Sequence, residues 1–482
     1  MLSKVVQNTT KNLVQQTKQS VSVKRMVMDA LYKDDSSDVH FKATHLSPRQ
    51  PLAGHKGKQV TEGNRQWQST KLSNGITVLS ESTGVPGAVD MGILLNVGTR
   101  DETVESSGSL LSIKNTYMKT LLNTNETINY GMVQMTGGHF EMKYDQETAL
   151  FHASCLAHDT VDIFNMVADC ALEPRSVVAS QVGQSKNQDT HKLDSFLKTG
   201  EHFNEALFQT AYGLQGLGMP LKGLKGNIDN LTSYNLQKFQ LENITPNRMI
   251  VAGTGIDSHE EFVQLVTEKL GFLPATEGSQ VLERAASEYR GGEVRNLNES
   301  NRLDLALVFQ GVNWSSEDVA ALNVLRTLLN GQRIQTNLLN KNHFIDSAEA
   351  LNFHFSDSGL FGLRVSGSSA NGKQILDSTI GELKEIASQV SQSEVEAAKS
   401  ALQVSVATAL QRQCDRLEEG VKSFNQYGEV KIQQYAQQIN SVTADQISNA
   451  VQRLLQSNPT FVVEGNNANN LPSFDQIRNS LN

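Results

Sequence analysis

Cysteine is scarce in this chain: Cys155, Cys170 and Cys414 are the only three among 482 residues. They are widely spaced and make neither a C-x-x-C pair nor a disulfide framework. That excludes a disulfide-stapled secreted scaffold and fits buried or free thiols in a reducing compartment. Long apolar runs are missing as well. Nothing approaches the ~18 consecutive apolar residues that a spanning helix needs, so a soluble or peripheral protein is expected. Positive charge is in deficit: the formal net charge of −9 argues against a general nucleic-acid binder, which requires a basic face. Eleven histidines are present, but no two lie four residues apart, so neither H-x-x-E-H nor H-E-x-x-H occurs. No nucleophile-elbow motif supports a serine hydrolase. The glycine-rich stretch "GLQGLGMPLKGLKGN" from Gly213 lacks a Gly-Lys-Ser/Thr ending and does not complete G-x-G-x-x-G, so it reads as a structural loop.

What remains is a chain long enough for two or more domains with real cores. The first residues stand apart. "MLSKVVQNTTKNLVQQTKQSVSVKRMVM" carries Lys4, Lys11, Lys18, Lys24 and Arg25, and no acidic residue precedes Asp29. It is rich in Ser, Thr and Gln, with apolar residues at loosely amphipathic spacing. This composition fits a mitochondrial transit peptide, and residues 1–62 are read as a basic N-terminal arm.

Beyond the arm, landmarks recur at an offset of roughly 210 residues. The hairpin pattern "FEMKYDQETALFHAS" from Phe140 is answered by "NFHFSDSGLFGLRVS" from Asn352. "LTSYNLQKF" from Leu231 is answered by "VTADQISNAV" from Val442, each with a Thr or Ser N-cap signal before a helix. Each helix is followed by a strand, "RMIVAGTG" or "PTFVVEGN", and then by a second helix, "SHEEFVQLVTEKLG" or "PSFDQIRNSL". The offset is too long for a solenoid and indicates a duplicated domain. Hairpins mixed with long helices make the class α+β. The expected organisation is a first α+β domain over 63–274, a polar linker over 275–296 and a second α+β domain over 297–482.

The words "LSNGITVLSES", "VGTRDE", "FQTAYG" with "GLGMPLKG", "LENITPNRMIVAGTGIDSHEEFVQLV", "YRGGEV" and "SDSGLFGL", in this order and spacing, resemble the pitrilysin-type metallopeptidase family. Within it they are similar to the mitochondrial processing peptidase α subunits and the core proteins of the cytochrome bc complex, from about Lys71 to the C-terminus. The resemblance implies paired half-shells, each a mainly antiparallel sheet with helices packed on it. In catalytic members one helix carries His-x-x-Glu-His, in which two histidines bind zinc and the Glu is general base. A Glu on a following helix is the third ligand.

Laid on this sequence, the motif falls in "SSGSLLSIKNTYMKTLLN", read as a helix from Ser106 to Asn123. Its apolar stripe is Leu110, Ile113, Tyr117 and Leu121, widened by Leu111, Met118 and Leu122. The ligand positions become Leu111, Lys114 and Asn115. A leucine ligates nothing and an ammonium repels a metal. The distal helix, expected within "SVVASQVGQSKNQDTHKLDSFLK", offers no glutamate between Glu173 and Glu201. His152 and His158 read as structural, and His139, after Gly137 and Gly138, as a possible cleft residue that alone makes no zinc site.

The resemblance also implies a substrate-holding glycine-rich loop in the second half. Here "NVLRTLLNGQRIQTNLLNKNHFIDSAEALNF" keeps only Gly331, and Leu325, Leu328, Leu329 and Ile334 predict a packed helix through it.

The sequence thus points to an inactive metallopeptidase homologue with no catalytic, metal-binding or cofactor-binding residues and with substrate-binding residues unassigned. The resemblance implies a β-type processing peptidase or core subunit as partner. It further implies a place beside cytochrome b, cytochrome c1 and the Rieske subunit of complex III, on the matrix side of the mitochondrial inner membrane.

Overall fold

The computed structural model describes residues 66–82, 87–118, 126–172, 202–228, 230–275 and 284–481. The basic arm and the span expected to hold the distal-ligand helix lie outside them. Two sheets organise the described residues. The first has strands β1 (Trp67–Lys71), β2 (Thr77–Glu81), β3 (Ala88–Leu95), β4 (His139–Tyr144), β5 (Ala149–Leu156) and β6 (Met249–Thr254), in the order β1-β2-β6-β3-β5-β4. The second has β7 (Gly292–Asn296), β8 (Arg302–Gln310), β9 (Ile345–His354), β10 (Gly359–Ser368) and β11 (Thr460–Glu464), in the order β7-β11-β8-β10-β9. Without its extra edge strand β1, the first sheet has the order of the second. Each contains one parallel pair at the same place, β2 with β6 and β7 with β11, and is otherwise antiparallel. The duplication read from the sequence is a duplication of sheet topology.

The central strands follow from period-two alternation. In β8, Leu303, Leu305, Leu307 and Phe309 enter one apolar layer, while Ala306 and Val308 enter the opposite one. In β3, Met91 and Ile93 face one layer and Leu94 the other. Both sheets are therefore covered on both faces.

The principal cover of the first sheet comes from helices α1 (Ser109–Thr116), α3 (Thr160–Leu172), α5 (Ser233–Asn243) and α6 (His259–Leu270), with α2 (Glu126–Met135) beside them and α4 (Phe203–Tyr212) elsewhere. Helix α5 starts where Thr232 accepts the amide of Asn235, and α6 where Ser258 accepts that of Glu261. In the second half α7 (Val319–Leu328), α8 (Gly372–Ser388), α9 (Gln392–Ala409), α11 (Ile432–Ser441), α12 (Ala444–Leu455) and α13 (Phe474–Leu481) pack on one face. Thr443 caps α12 through the amide of Gln446, the counterpart of Thr232.

The opposite faces are covered by exchange. Phe203, Leu207, Phe208, Ala211 and Tyr212 of α4 pack against Ala306, Val308, Leu351 and Val462 of the second sheet. Reciprocally, Leu417 and Val421 of α10 (Gln413–Tyr427) pack against Leu79, Leu94, Leu150 and Ile250 of the first. Gly420 of α10 lies so close to Trp67 of β1 that an added Cβ would sit 2.4 Å from the indole. The domain boundaries drawn along the chain need correcting on this point. Residues 203–212 belong to the first half in sequence and to the second in packing, because an amphipathic stripe specifies burial but not the sheet that provides it. The expected linker needs a second correction. Its last five residues are β7, paired in parallel with β11, so the polar stretch ends as an edge strand of the second sheet.

Candidate functional site

Helix α1 begins at Ser109, three residues after the start expected at Ser106, and just ahead of its first stripe residue, Leu110. Gly108 stands at its N-cap with φ of 94°, a conformation open to glycine, and its Cα is so near Gly223 that a Cβ on Gly223 would be 2.6 Å away. The Glu102 carboxylate reaches back to accept the amides of Gly108 at 2.9 Å and Leu110 at 2.8 Å, satisfying donors that the first turn leaves open. Glu102 is buried, and this raises its pKa to about 8, against the backbone amides that pull it down. Leu110 and Ile113 join the main core of the first half. Leu121 and Leu122 lie outside the described residues.

The three positions of the zinc motif hold no ligand chemistry. Leu111 is 3% exposed and pairs with Ile228. The Lys114 ammonium lies 5.4 Å from the centroid of the Tyr144 ring. Tyr144 is itself fixed by donating its hydroxyl to the carbonyl of Leu221 at 2.8 Å. Asn115 is half-buried. Among the described residues no group of three or more His, Cys, Asp or Glu side chains is placed to hold a metal ion.

The lone histidines separate. His152 is buried and its Nε2 lies 3.1 Å from Asp90. His158 is exposed, 3.2 Å from Asp159. His139 is at the exposed start of β4, 3.8 Å from Glu141. The cysteines are free thiols, and burial pushes that of Cys155 up to about 11.

Sequence reading missed the densest polar feature of the molecule, although it quoted the words that build it. In "VGTRDE", Gly98 approaches the 145–148 turn so closely that a Cβ would meet the carbonyl of Gln146 at 2.1 Å. That approach brings Arg100 against Glu147, with which it makes a buried ion pair. The same guanidinium reaches across to the second half, donating to Asp357 at 2.8 Å and to the Ser356 hydroxyl at 3.0 Å. Glu147 also accepts the amide of Ser356 at 3.1 Å. Asp101 accepts from Arg248 at 3.0 Å and from Arg284 at 2.7 Å. Burial opposes ionisation of Asp101, but Arg284 and Arg248 outweigh it and hold the carboxyl below its ordinary range. The words "VGTRDE", "NRMIVAG" and "SDSGLFGL" thus meet at one ion network between the halves. Arg284, inside the expected linker, completes it. The available signal was a cluster of charged residues bracketed by buried-strand patterns.

In the second half, the stretch where the resemblance places a loop, and where the apolar residues predict a packed helix, is helical from Val319 to Leu339. Helix α7 runs into a π-helical segment, Leu329–Leu339, with a kink at Gly331. Leu325, Leu328, Leu329 and Ile334 are all buried. Arg333, 5% exposed, donates to Glu382 at 2.5 Å and to Glu385 at 2.8 Å, with Glu394 at 3.5 Å. Asn330 accepts the amide of Ala350 at 2.6 Å. The segment is tied to α8, α9 and β9.

A family model described as the Peptidase M16 inactive domain matches residues 230–402. Curated relatives extend the similarity over most of the chain. The mitochondrial-processing peptidase subunit alpha of Solanum tuberosum is 26% identical over 430 residues, 85% of this chain and 84% of the relative. Subunit alpha-2 of Dictyostelium discoideum is 27% identical, over 87% of this chain and 96% of the relative. The subunit beta of Blastocladiella emersonii is 24% identical, over 86% and 92%. The chain is a processing-peptidase-like protein of the M16 fold. The duplicated sheets and the exchanged helices α4 and α10 are therefore the two halves of an M16 shell. Helix α1 is where the resemblance lays the zinc motif, and the three positions hold an aliphatic, an ammonium and an amide side chain.

Proposed function

We propose that this chain is a non-catalytic, structural core subunit of mitochondrial complex III, on the matrix side of the inner membrane, paired with a β-type subunit of the same fold. One observation carries the reading: the positions onto which the zinc motif is laid on α1 are Leu111, which is buried, Lys114, which lies over the Tyr144 ring, and Asn115, none of them a zinc ligand. The anchored π-helical segment around Arg333 agrees with it, since a substrate-holding loop has been replaced by a fixed helix. No helix among the described residues is long and apolar enough to cross a membrane, which suits a peripheral subunit. In such an assembly cytochrome b, cytochrome c1 and the Rieske subunit are the neighbours, and the chain itself cleaves nothing.

The names of the relatives favour a second reading, the substrate-recognising α subunit of an active heterodimeric processing peptidase. There, acidic residues attract basic presequences. A mass-spectrometric inventory of proteins co-purified with the chain separates the two. A complex bearing haem and an iron–sulfur subunit is expected. A soluble dimer with a β-type peptidase subunit and nothing else would replace the first reading by the second.

A further inference from the structure

Each sheet ends in a strand that pairs on one side only, β4 in the first and β9 in the second. A strand in that position offers amides and carbonyls to any extended chain that comes alongside, and natural sheets cover or charge such edges. Here a helical segment lies beside each of the two strands, and each sends one polar side chain onto the strand's outward backbone groups.

On β9 the contact is made by Asn330. Its Oδ1 accepts the amide of Ala350 at 2.6 Å, and its Nδ2 donates to the carbonyl of the same residue at 3.3 Å. Ala350 lies opposite Leu363 of β10, but in an antiparallel pair alternate residues turn both backbone groups away from the partner. Those outward groups are the ones Asn330 takes. Its carboxamide combines an acceptor with donors, as a peptide backbone does, and stands where a sixth strand would pair. Ala348, Asn352 and His354 share the outward phase of Ala350, and the His354 carbonyl accepts the Trp314 indole at 2.7 Å.

Asn330 is set apart within its own segment. Leu329 and Arg333 are buried on either side, whereas Asn330, Gly331 and Gln332 are exposed. The backbone leaves helical geometry at Gly331, with φ of −77° and ψ of −108°, yet an added Cβ there would meet nothing within 4 Å. Crowding therefore does not force the bulge, and bulges of this kind recur where a helix has a task beyond packing. The first sheet repeats the arrangement with another residue type. Tyr117, at the C-terminal cap of α1, donates its hydroxyl to the carbonyl of Phe140 at 3.4 Å and accepts the amide of Met142, both on the outer side of β4.

We propose that Asn330 guards the open edge of β9 against strand addition, and that the strand it keeps out is β9 of a second copy of this chain. The strand is complementary to itself. Antiparallel pairing centred on Ala350 would set Asp346 opposite His354 and Ala348 opposite Asn352, with no like charges facing and small side chains in the middle. Such a pair is an isologous contact about a two-fold axis. The inference stands on the sheet edge alone and holds for either assembly proposed above.

The test is sedimentation velocity of the full chain at matched concentrations, with thermal midpoints measured alongside. Asn330→Ala frees both backbone groups of Ala350, and self-association should tighten about tenfold over wild type, the worth of roughly two modest hydrogen bonds. Asn330→Asp keeps an acceptor for the Ala350 amide and adds a charge to the edge, so it should stay at the wild-type level. Adding Ala348→Pro to Asn330→Ala removes an amide that points away from β10, and should abolish the new association. A merely structural Asn330 gives another pattern. Both single variants would then lose midpoint, Asp the more because its second oxygen faces the Ala350 carbonyl, and neither would associate; that outcome overturns the proposal. So does association of Asn330→Ala that survives Ala348→Pro, which places the contact elsewhere. Wild-type chain that already pairs, and loses the pairing with Ala348→Pro, would show the edge to be unguarded.

Discussion

Arg100 and Asp357 are 257 residues apart in the chain and 2.8 Å apart in the fold. One follows β3 in the first half and the other sits in the β9–β10 turn of the second. With Glu147 and Ser356 they join the half-shells through a bond set largely removed from water, where Arg100 has 2% of its side chain exposed and Asp357 21%. Breaking a buried pair leaves an uncompensated charge, which costs about 3–5 kcal/mol. Arg100→Ala strands both Glu147 and Asp357, so its loss of stability should fall in that range. Asp357→Ala leaves Arg100 paired with Glu147 and should cost clearly less. Denaturant unfolding of the two variants checks the order; equal losses would mean that the contact across the halves, not Glu147, is the main partner.

The exchange of α4 and α10 makes the halves interdependent. A fragment ending at Ala275 lacks α10 and leaves Leu79, Leu94, Leu150 and Ile250 uncovered. It also strands the α4 stripe, Phe203, Leu207, Phe208 and Tyr212, whose cover is the second sheet, so it should be recovered as aggregate when expressed alone. In the full chain, Leu417→Ala should cost about 2–5 kcal/mol, the range for truncating a buried leucine. Calorimetry should still show a single transition, because each half supplies cover to the other. Two resolved transitions would contradict this coupling.

Glu102 predicts a slope in stability with pH. Its pKa is raised in the fold from the ordinary 4.5 to about 8. Between those values the folded state therefore binds more protons than the unfolded one. The contribution is fully present below about pH 4.5 and is lost as pH rises through about 8. Asp101 works in the opposite sense, but only in the acid range, since its pKa is lowered from 3.8. Glu102→Gln removes the titrating group and should flatten the fall in melting temperature from pH 5 to 9, a range chosen to span about the Glu102 window. An unchanged slope would mean that another group dominates it.

The vacated zinc position gives a test of chemistry. Metal analysis of the purified chain should find no stoichiometric zinc. Leu111→His, Lys114→Glu and Asn115→His together restore the helix motif without a third ligand or the surrounding groups that orient histidines. The replacement removes a leucine only 3% exposed, at a cost of about 2–3 kcal/mol. The triple variant should be less stable, bind zinc weakly and leave a basic presequence peptide intact. Chelator-sensitive cleavage by it would reveal a third ligand, and one equivalent of zinc in the unmodified chain would overturn the non-catalytic reading.

Local physics was legible in the amino-acid order. Alternation marked both hairpins, β4 with β5 and β9 with β10, because a strand turns successive side chains to opposite faces. Thr232, Ser258 and Thr443 marked helix starts, because a short oxygen-bearing side chain satisfies amides that the first turn leaves open. That Leu111 and Lys114 are not metal ligands follows from their chemistry wherever they sit. The start of α1 was not legible, because it depends on Glu102 reaching back to Gly108 and Leu110. Nor was the choice of sheet for α4 and α10. Burial of apolar area is non-directional, so the stripe on α4 is equally satisfied by either sheet until the chain path brings it to the second. The same holds for Arg100, Arg248 and Arg284. Their charge is local, but Glu147, Asp101 and Asp357 become their partners only when strands distant in sequence are packed, and only there does exclusion of water make the pairing strong.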